Sequence, residues 1–170
     1  FKNKTLLLLS HRYPNAIDEI SNIFVKNYVD SIKKHFKRVI VIATVPYIPR
    51  FIGKMKGGQY FMDSICNDYI YDNVQVFYCK VPYFPVNWDL RYRNQRALKH
   101  VTNKINELSL SFDLIHAHFT APSGFIAAHL KQVYDKEAFL TIHENYDWLI
   151  RESKNPIFKD TWSNLDGIIR

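Results

Sequence analysis

The chain has 170 residues, 47% of them hydrophobic and 23% charged, with seven Pro and five Gly. A chain of this length buries roughly 70% of its extended surface on folding, so one packed unit is expected and disordered, collagen-like and low-complexity classes are excluded. The formal net charge of +7 favours anionic partners, and no apolar run approaches the ~18 residues that span a bilayer. The leucine run Leu6 to Leu9 is shorter than the ~7–15-residue core of a secretory signal, which leads to the expectation of a cytoplasmic protein. Cys66 and Cys79 are too few for a disulfide framework and are read as structural thiols in a reducing compartment.

In chain order, residues 5–10 form a short continuous apolar run, the pattern of a strand covered on both faces. Ile20, Phe24, Val25, Tyr28, Val29, Ile32 and Phe36 then recur at three- and four-residue spacing, which predicts a helix capped by Ser21 or Asn22. Residues 39–43 repeat the strand pattern and complete a β-α-β unit. Residues 46–69, with Pro46, Pro49, Gly53, Gly57 and Gly58, predict a long irregular connection. A third strand is expected at 74–79. A helix over 93–110 follows, with Leu98, Val101, Ile105 and Leu108 inward. The remaining elements are a strand at 113–117, a small-residue helix over 123–134 with Ser123 as its cap, a strand at 138–142, and a last strand opened by Gly167. This alternation predicts an α/β fold: a doubly wound, mostly parallel sheet with helices on both faces, Rossmann-like, in a single domain over residues 1–170. No internal repeat is found. A first residue Phe1 in place of Met, and a last residue Arg170 directly after Ile168 and Ile169, suggest a piece of a longer protein.

In such sheets ligands bind beyond the carboxyl ends of the strands. Arg12, Tyr13 and Asn15 follow the first strand, His116, His118 and Thr120 the fourth, and His143, Glu144, Asn145 and Asp147 the fifth. A lone strand-end His commonly satisfies a backbone carbonyl, but the shared placement favours His118 and His143 as ligand groups. His116, His118 and His143 also invite a zinc reading; no Cys or carboxylate stands at familiar ligand spacing beside them, so no metal is expected. Neither a P-loop nor a G-x-G-x-x-G is present. Without G-x-S-x-G, Ser123 is not a hydrolase nucleophile. Basic and aromatic residues interleave around Arg50, Lys54 and Lys56, and again around Arg91 and Arg93. Both stretches suit lipid phosphate or an anionic acceptor, the alternative being a surface loop folded back on the core. No nucleic-acid signature accompanies them, so no nucleic-acid partner is expected.

The segment Phe112-Asp113-Leu114-Ile115-His116-Ala117-His118-Phe119-Thr120-Ala121-Pro122-Ser123-Gly124, followed by Thr141-Ile142-His143-Glu144-Asn145-Tyr146-Asp147, resembles the N-terminal half of family 4 glycosyltransferases, retaining enzymes of the GT-B fold. His11-Arg12-Tyr13-Pro14-Asn15 with Ile23-Phe24-Val25-Lys26-Asn27, and Asn164-Leu165-Asp166-Gly167-Ile168-Ile169, extend the resemblance over nearly the whole chain. The resemblance implies two Rossmann-like domains facing across a cleft, the first holding the acceptor and the second the nucleotide-sugar donor. This chain matches the first; the donor-binding C-terminal domain, with its E-x7-E motif, is absent from it. His143 is implied to approach the reacting carbon of the donor sugar. Arg12, Tyr13, Asn15, Asn22, His118, Glu144 and Asp147 are candidate acceptor- or donor-binding residues. Two departures stand out. Glu144 occupies a position that is often Gly, with Asp147 one residue late, and Asn22 replaces the Gly that lets helix amides approach phosphate, a loss for which Arg12 could compensate. The implied activity is retaining, metal-independent hexosyl transfer from a nucleotide-sugar co-substrate, with no other cofactor. The implied acceptor is lipid-linked or polysaccharide, as in cell-envelope synthesis, with peripheral placement on the inner face of the membrane and little activity from this fragment alone. The alternative is a non-catalytic Rossmann-like module that binds anionic lipid or nucleic acid.

Overall fold

The structure is a computed structural model that describes residues 1–47, 66–82 and 90–170. Among them, β1 (Thr5–His11), β2 (Arg38–Tyr47), β3 (Tyr69–Tyr71), β4 (Val74–Pro82), β5 (Leu114–His118), β6 (Glu137–Thr141) and β7 (Gly167–Ile169) form one sheet in the order β3-β4-β2-β1-β5-β6-β7. All neighbours pair in parallel except β3 with β4. The expected doubly wound, Rossmann-like α/β sheet is therefore present, with the chain moving away from β1 first in one direction and then in the other.

The leucines of β1 explain its central place. Leu7 and Leu9 pack with Ile40, Ile42, Val101 and Ile126 on one face, and Leu6 and Leu8 with Val25, Val29, Val39 and Val41 on the other. Each such buried side chain contributes about 1.5–3 kcal/mol, and a strand with two apolar faces is stable only between two helical layers. The helix Ile23–Ile32 supplies one layer through Val25 and Val29. The helices Leu90–Glu107 and Phe125–Tyr134 supply the other, through Ala97, Val101 and Ile105 and through Ile126, Ala127 and Leu130.

Several local expectations are corrected. The first helix begins at Ile23 and gives way to a single 3-10 turn at Lys33–His35, so Ile20 lies outside it and is 80% exposed. Asn22 stands at its N-cap but in the left-handed region (φ 52°) and makes no side-chain cap; its amide instead donates to the carbonyl of His11. Ser123 does not cap the helix that begins at Phe125, because it lies inside a wide turn over Thr120–Gly124. Leu108 falls beyond the end of Leu90–Glu107 and is exposed. The connection expected over 46–69 is shorter at both ends, with β2 running to Tyr47 and the edge strand β3 beginning at Tyr69. Two short helices, Tyr146–Glu152 and Pro156–Ser163, precede β7. Cys66 and Cys79 are both buried thiols. Among the described residues, no helix is long and apolar enough to cross a membrane.

Candidate functional site

The strand order reverses at β1, between β2 on one side and β5 on the other. A crevice opens at such a point beyond the carboxyl ends of the strands. The register places the site residues: His116 and His118 of β5 pair with Phe139 and Thr141 of β6, and His143 follows two residues later.

Two imidazoles meet there. His118, 2% exposed, has Nδ1 at 2.8 Å from Nε2 of the exposed His143. Their ring planes differ by only 11° with centroids 5.0 Å apart. That separation is close to the N···N distance plus two ring radii, so the rings lie edge to edge, nearly in one plane, each nitrogen in the direction a hydrogen bond prefers. Phe24 and Phe119 flank His143 at 4.7 and 5.0 Å. Behind the pair, His116 reaches Tyr28 Oη at 3.0 Å through Nδ1 and Thr141 Oγ1 at 2.8 Å through Nε2. Burial penalises the imidazolium, so the His116 pKa falls to about 4 and that of His118, beside two further imidazoles, to about 3. Burial also lowers His143, against the opposing charge of Glu144.

Glu144 closes the turns on which this pair rests. The Thr120 amide donates to its Oε1 at 2.6 Å and the His143 amide to its Oε2 at 3.1 Å. One carboxylate thus holds the chain leaving β5 and the chain leaving β6. Phe119, at φ 73°, makes the sharp exit from β5 while its amide donates to the Thr141 carbonyl at 3.0 Å. Gly124 sits tightly below this turn: a Cβ there would lie 3.2 Å from Leu140 Cδ1 and 3.3 Å from the Phe119 carbonyl oxygen.

On the β1 side, Arg12 adopts the left-handed region (φ 65°), its amide donating to the Thr44 carbonyl at 3.1 Å. Burial first, then the charges of Arg12 and Arg93, lowers the His11 pKa to about 4. Arg93, exposed near the start of Leu90–Glu107, therefore shares one positive region with Arg12.

Not every expected ligand group reaches the rim. Tyr13 is corrected from a binding residue to a core residue: it is fully buried, with its hydroxyl 3.0 Å from that of Tyr71. Asn15 is occupied locally, its Oδ1 accepting the amides of Ile17 and Asp18 at 2.8 and 3.0 Å. Asn22 fastens the loop to His11, Asp147 is exposed in the first turn of Tyr146–Glu152, and Arg91 is exposed beside Arg93. Arg50, Lys54 and Lys56 lie outside the described residues. The aromatic walls Phe24, Tyr28 and Phe119, and the Thr141 hydroxyl, were not anticipated as site residues; Phe24 and Tyr28 stand four apart on one helix face, a spacing that brings both to the same strand ends.

The loop carrying Arg12 and Asn22 is anchored by tyrosines. Tyr69 and Tyr78 each donate to the Pro14 carbonyl at 2.7 Å, and Tyr78 also lies 3.1 Å from the Tyr13 carbonyl. Tyr78→Phe is expected to lower stability by about 1–2 kcal/mol, since a buried carbonyl loses a donor. Urea melts of both proteins measure it, and an unchanged midpoint contradicts the anchor.

No protein-family model and no curated protein matches this sequence. Solved structures do. A Listeria monocytogenes protein assigned as a UDP-N-acetylglucosamine 2-epimerase aligns over 99% of this chain and 39% of its own, with TM-score 0.50 and 10% identity. UGT89C1 of Arabidopsis thaliana, solved with UDP, aligns over 98% of this chain and 44% of its own, at TM-score 0.48 and 10% identity. The nicotinamidase SaPncA of Staphylococcus aureus reaches only TM-score 0.39 at 11% identity, over 92% of this chain and 97% of its own. The first likeness shows a shared fold, the Rossmann-like α/β architecture found in GT-B proteins. This chain spans less than half the length of the first two structures.

Proposed function

We propose that this chain is the N-terminal, acceptor-side half of a retaining, metal-independent glycosyltransferase resembling family 4. It would move a sugar from a nucleotide-sugar donor, held mainly by a second domain, to a lipid-linked or polysaccharide acceptor of the cell envelope. The observation that carries the reading is the His143 ring, standing exposed at the strand-order reversal and aimed by the buried His118 at 2.8 Å. A preorganised polar group at such a rim stabilises charge developing on a sugar or leaving-group oxygen without reorganising as the reaction proceeds. Arg12 and Arg93 supply positive charge for a phosphate or an anionic acceptor. Two Rossmann-like halves in one enzyme also accord with the 39% of the Listeria monocytogenes protein that this chain covers.

In the proposed chemistry the sugar leaves one oxygen and joins another with its anomeric configuration retained, and the nucleoside diphosphate departs. No cofactor beyond the donor takes part. The basic character of the chain, +7 overall, is consistent with peripheral placement on the inner face of the cell membrane. The full-length protein is to be titrated with UDP-glucose, UDP-N-acetylglucosamine and GDP-mannose, and release of nucleoside diphosphate to water followed. One donor is expected to bind and to be hydrolysed slowly with retention. Failure of every nucleotide sugar to bind overturns the reading in favour of a non-catalytic module that recognises anionic lipid or nucleic acid.

A further inference from the structure

We infer that His118 fixes the proton on His143: His118 donates from Nδ1 to His143 Nε2, so that His143 is neutral and turns an Nδ1–H outward, selecting a ligand oxygen that accepts a hydrogen bond over a group that must give up a proton. The inference rests on the proposed ligand site only in naming what the outward nitrogen meets.

The two nitrogens at 2.8 Å share one proton, because two facing N–H groups repel and two facing lone pairs form no bond. If His143 were the donor, His118 would carry its own proton on Nε2. That atom is buried and has no hydrogen-bond partner, and a buried, unpaired donor costs about 1–3 kcal/mol. With His118 as donor, the same atom is a lone pair, and unsatisfied acceptors are tolerated in native interiors more often than orphaned N–H groups. Among the described residues, the groups packed against the pair are Phe24 and Tyr28 from the helix Ile23–Ile32, His116 from β5, Phe119 after β5, and Glu144 after β6. Of these only Glu144 is charged. Its carboxylate raises the His143 pKa, but burial is the larger effect and the net shift is downward, toward the neutral ring. The two nitrogens of an imidazole point in widely divergent directions, so with Nε2 on His118 the Nδ1 of the exposed His143 points away from that buried ring. Protonation of His143 would place a hydrogen on Nε2 and force His118 into its unfavourable tautomer, which opposes the imidazolium at neutral pH. His118 is thus a positioning residue and His143 the group it presents.

The test is the tautomeric state in the full-length protein, read from two-bond ¹H–¹⁵N spectra at pH 7 with histidine labelled and peaks assigned by His118→Asn and His143→Ala. Nδ1–H on both residues, with an unprotonated Nε2 on His143, is the expected result; Nε2–H on His143, or a charged His143, overturns the inference. His118→Asn, whose amide can donate from nearly the same place, should keep the His143 tautomer. His118→Phe, where it folds, should release His143 to Nε2–H and return its pKa toward the ordinary imidazole value; the wild-type and Asn spectra decide the matter if it does not. The spectrum needs no ligand, so a wrong tautomer with a bound nucleotide sugar sinks only this inference. The expected tautomer without any nucleotide-sugar binding sinks only the proposed function.

Discussion

Between pH 7.5 and 5.5 the fold is expected to lose about 4 kcal/mol of stability, the largest change anticipated from a single shift of conditions. The loss comes from three buried imidazoles. His11 and His116 titrate at about 4 and His118 at about 3 in the folded chain, against 6.5 as the ordinary value. Since the folded values are lowered, the unfolded chain binds the extra protons, and stability present above pH 6.5 is lost as the pH falls from there toward 4. One pH unit below 6.5 each histidine withdraws somewhat more than about 1 kcal/mol. For a chain of this size a loss of about 4 kcal/mol lowers the melting temperature by about 8–16 °C. Thermal melts at pH 7.5, 6.5 and 5.5 measure it, and His118→Asn should flatten the dependence by about a third. A melting temperature that stays level down to pH 5.5 would contradict the burial of these rings.

Glu144→Ala is expected to cost about 2–3 kcal/mol. Its carboxylate accepts two amides, those of Thr120 at 2.6 Å and His143 at 3.1 Å; the Thr120 bond to a charged acceptor is worth about 1.5–3 kcal/mol, and the water-exposed His143 bond adds little. Thr120 is fully buried, so its amide has little access to water as a replacement partner. Glu144→Gln keeps an acceptor and should recover part of the loss. Urea denaturation of the three proteins separates these outcomes, and equal stability of the Ala variant and the parent would remove Glu144 from its bridging role.

The same residue shows where sequence reading stopped. In the pattern of family 4, Glu144 stands at a position that is often Gly and so leaves the turn after β6 uncertain. The fold gives the physical reason for a carboxylate there: it binds two amides that the β5–β6 pairing brings together. By contrast β1, β2 and β6 were legible because unbroken apolar runs such as Leu6 to Leu9 report burial on both faces directly. β3 was missed because Tyr69, Ile70 and Tyr71 adjoin a Pro- and Gly-rich stretch, although the two-residue turn at Asp72 and Asn73 between apolar runs is a hairpin signal. Asn155 followed by Pro156 similarly marks a helix start, and Asn155 does accept the Ile157 amide there. For the site, the sequence placed His118 and His143 on one rim but could not pair them, since they stand 25 residues apart and meet only through the β5–β6 register. Tyr13 misled because it follows a strand end, yet the chain turns it inward under Tyr71.

The most direct test of the account is the turnover of His143→Ala in the full-length protein, with nucleoside diphosphate release from the best-bound nucleotide sugar as the readout. If His143 stabilises charge at the reacting sugar, the variant should lose about 100-fold or more in kcat, while donor affinity stays near that of the parent. A variant that turns over donor at the parental rate would contradict the assignment of this rim as the site of sugar transfer.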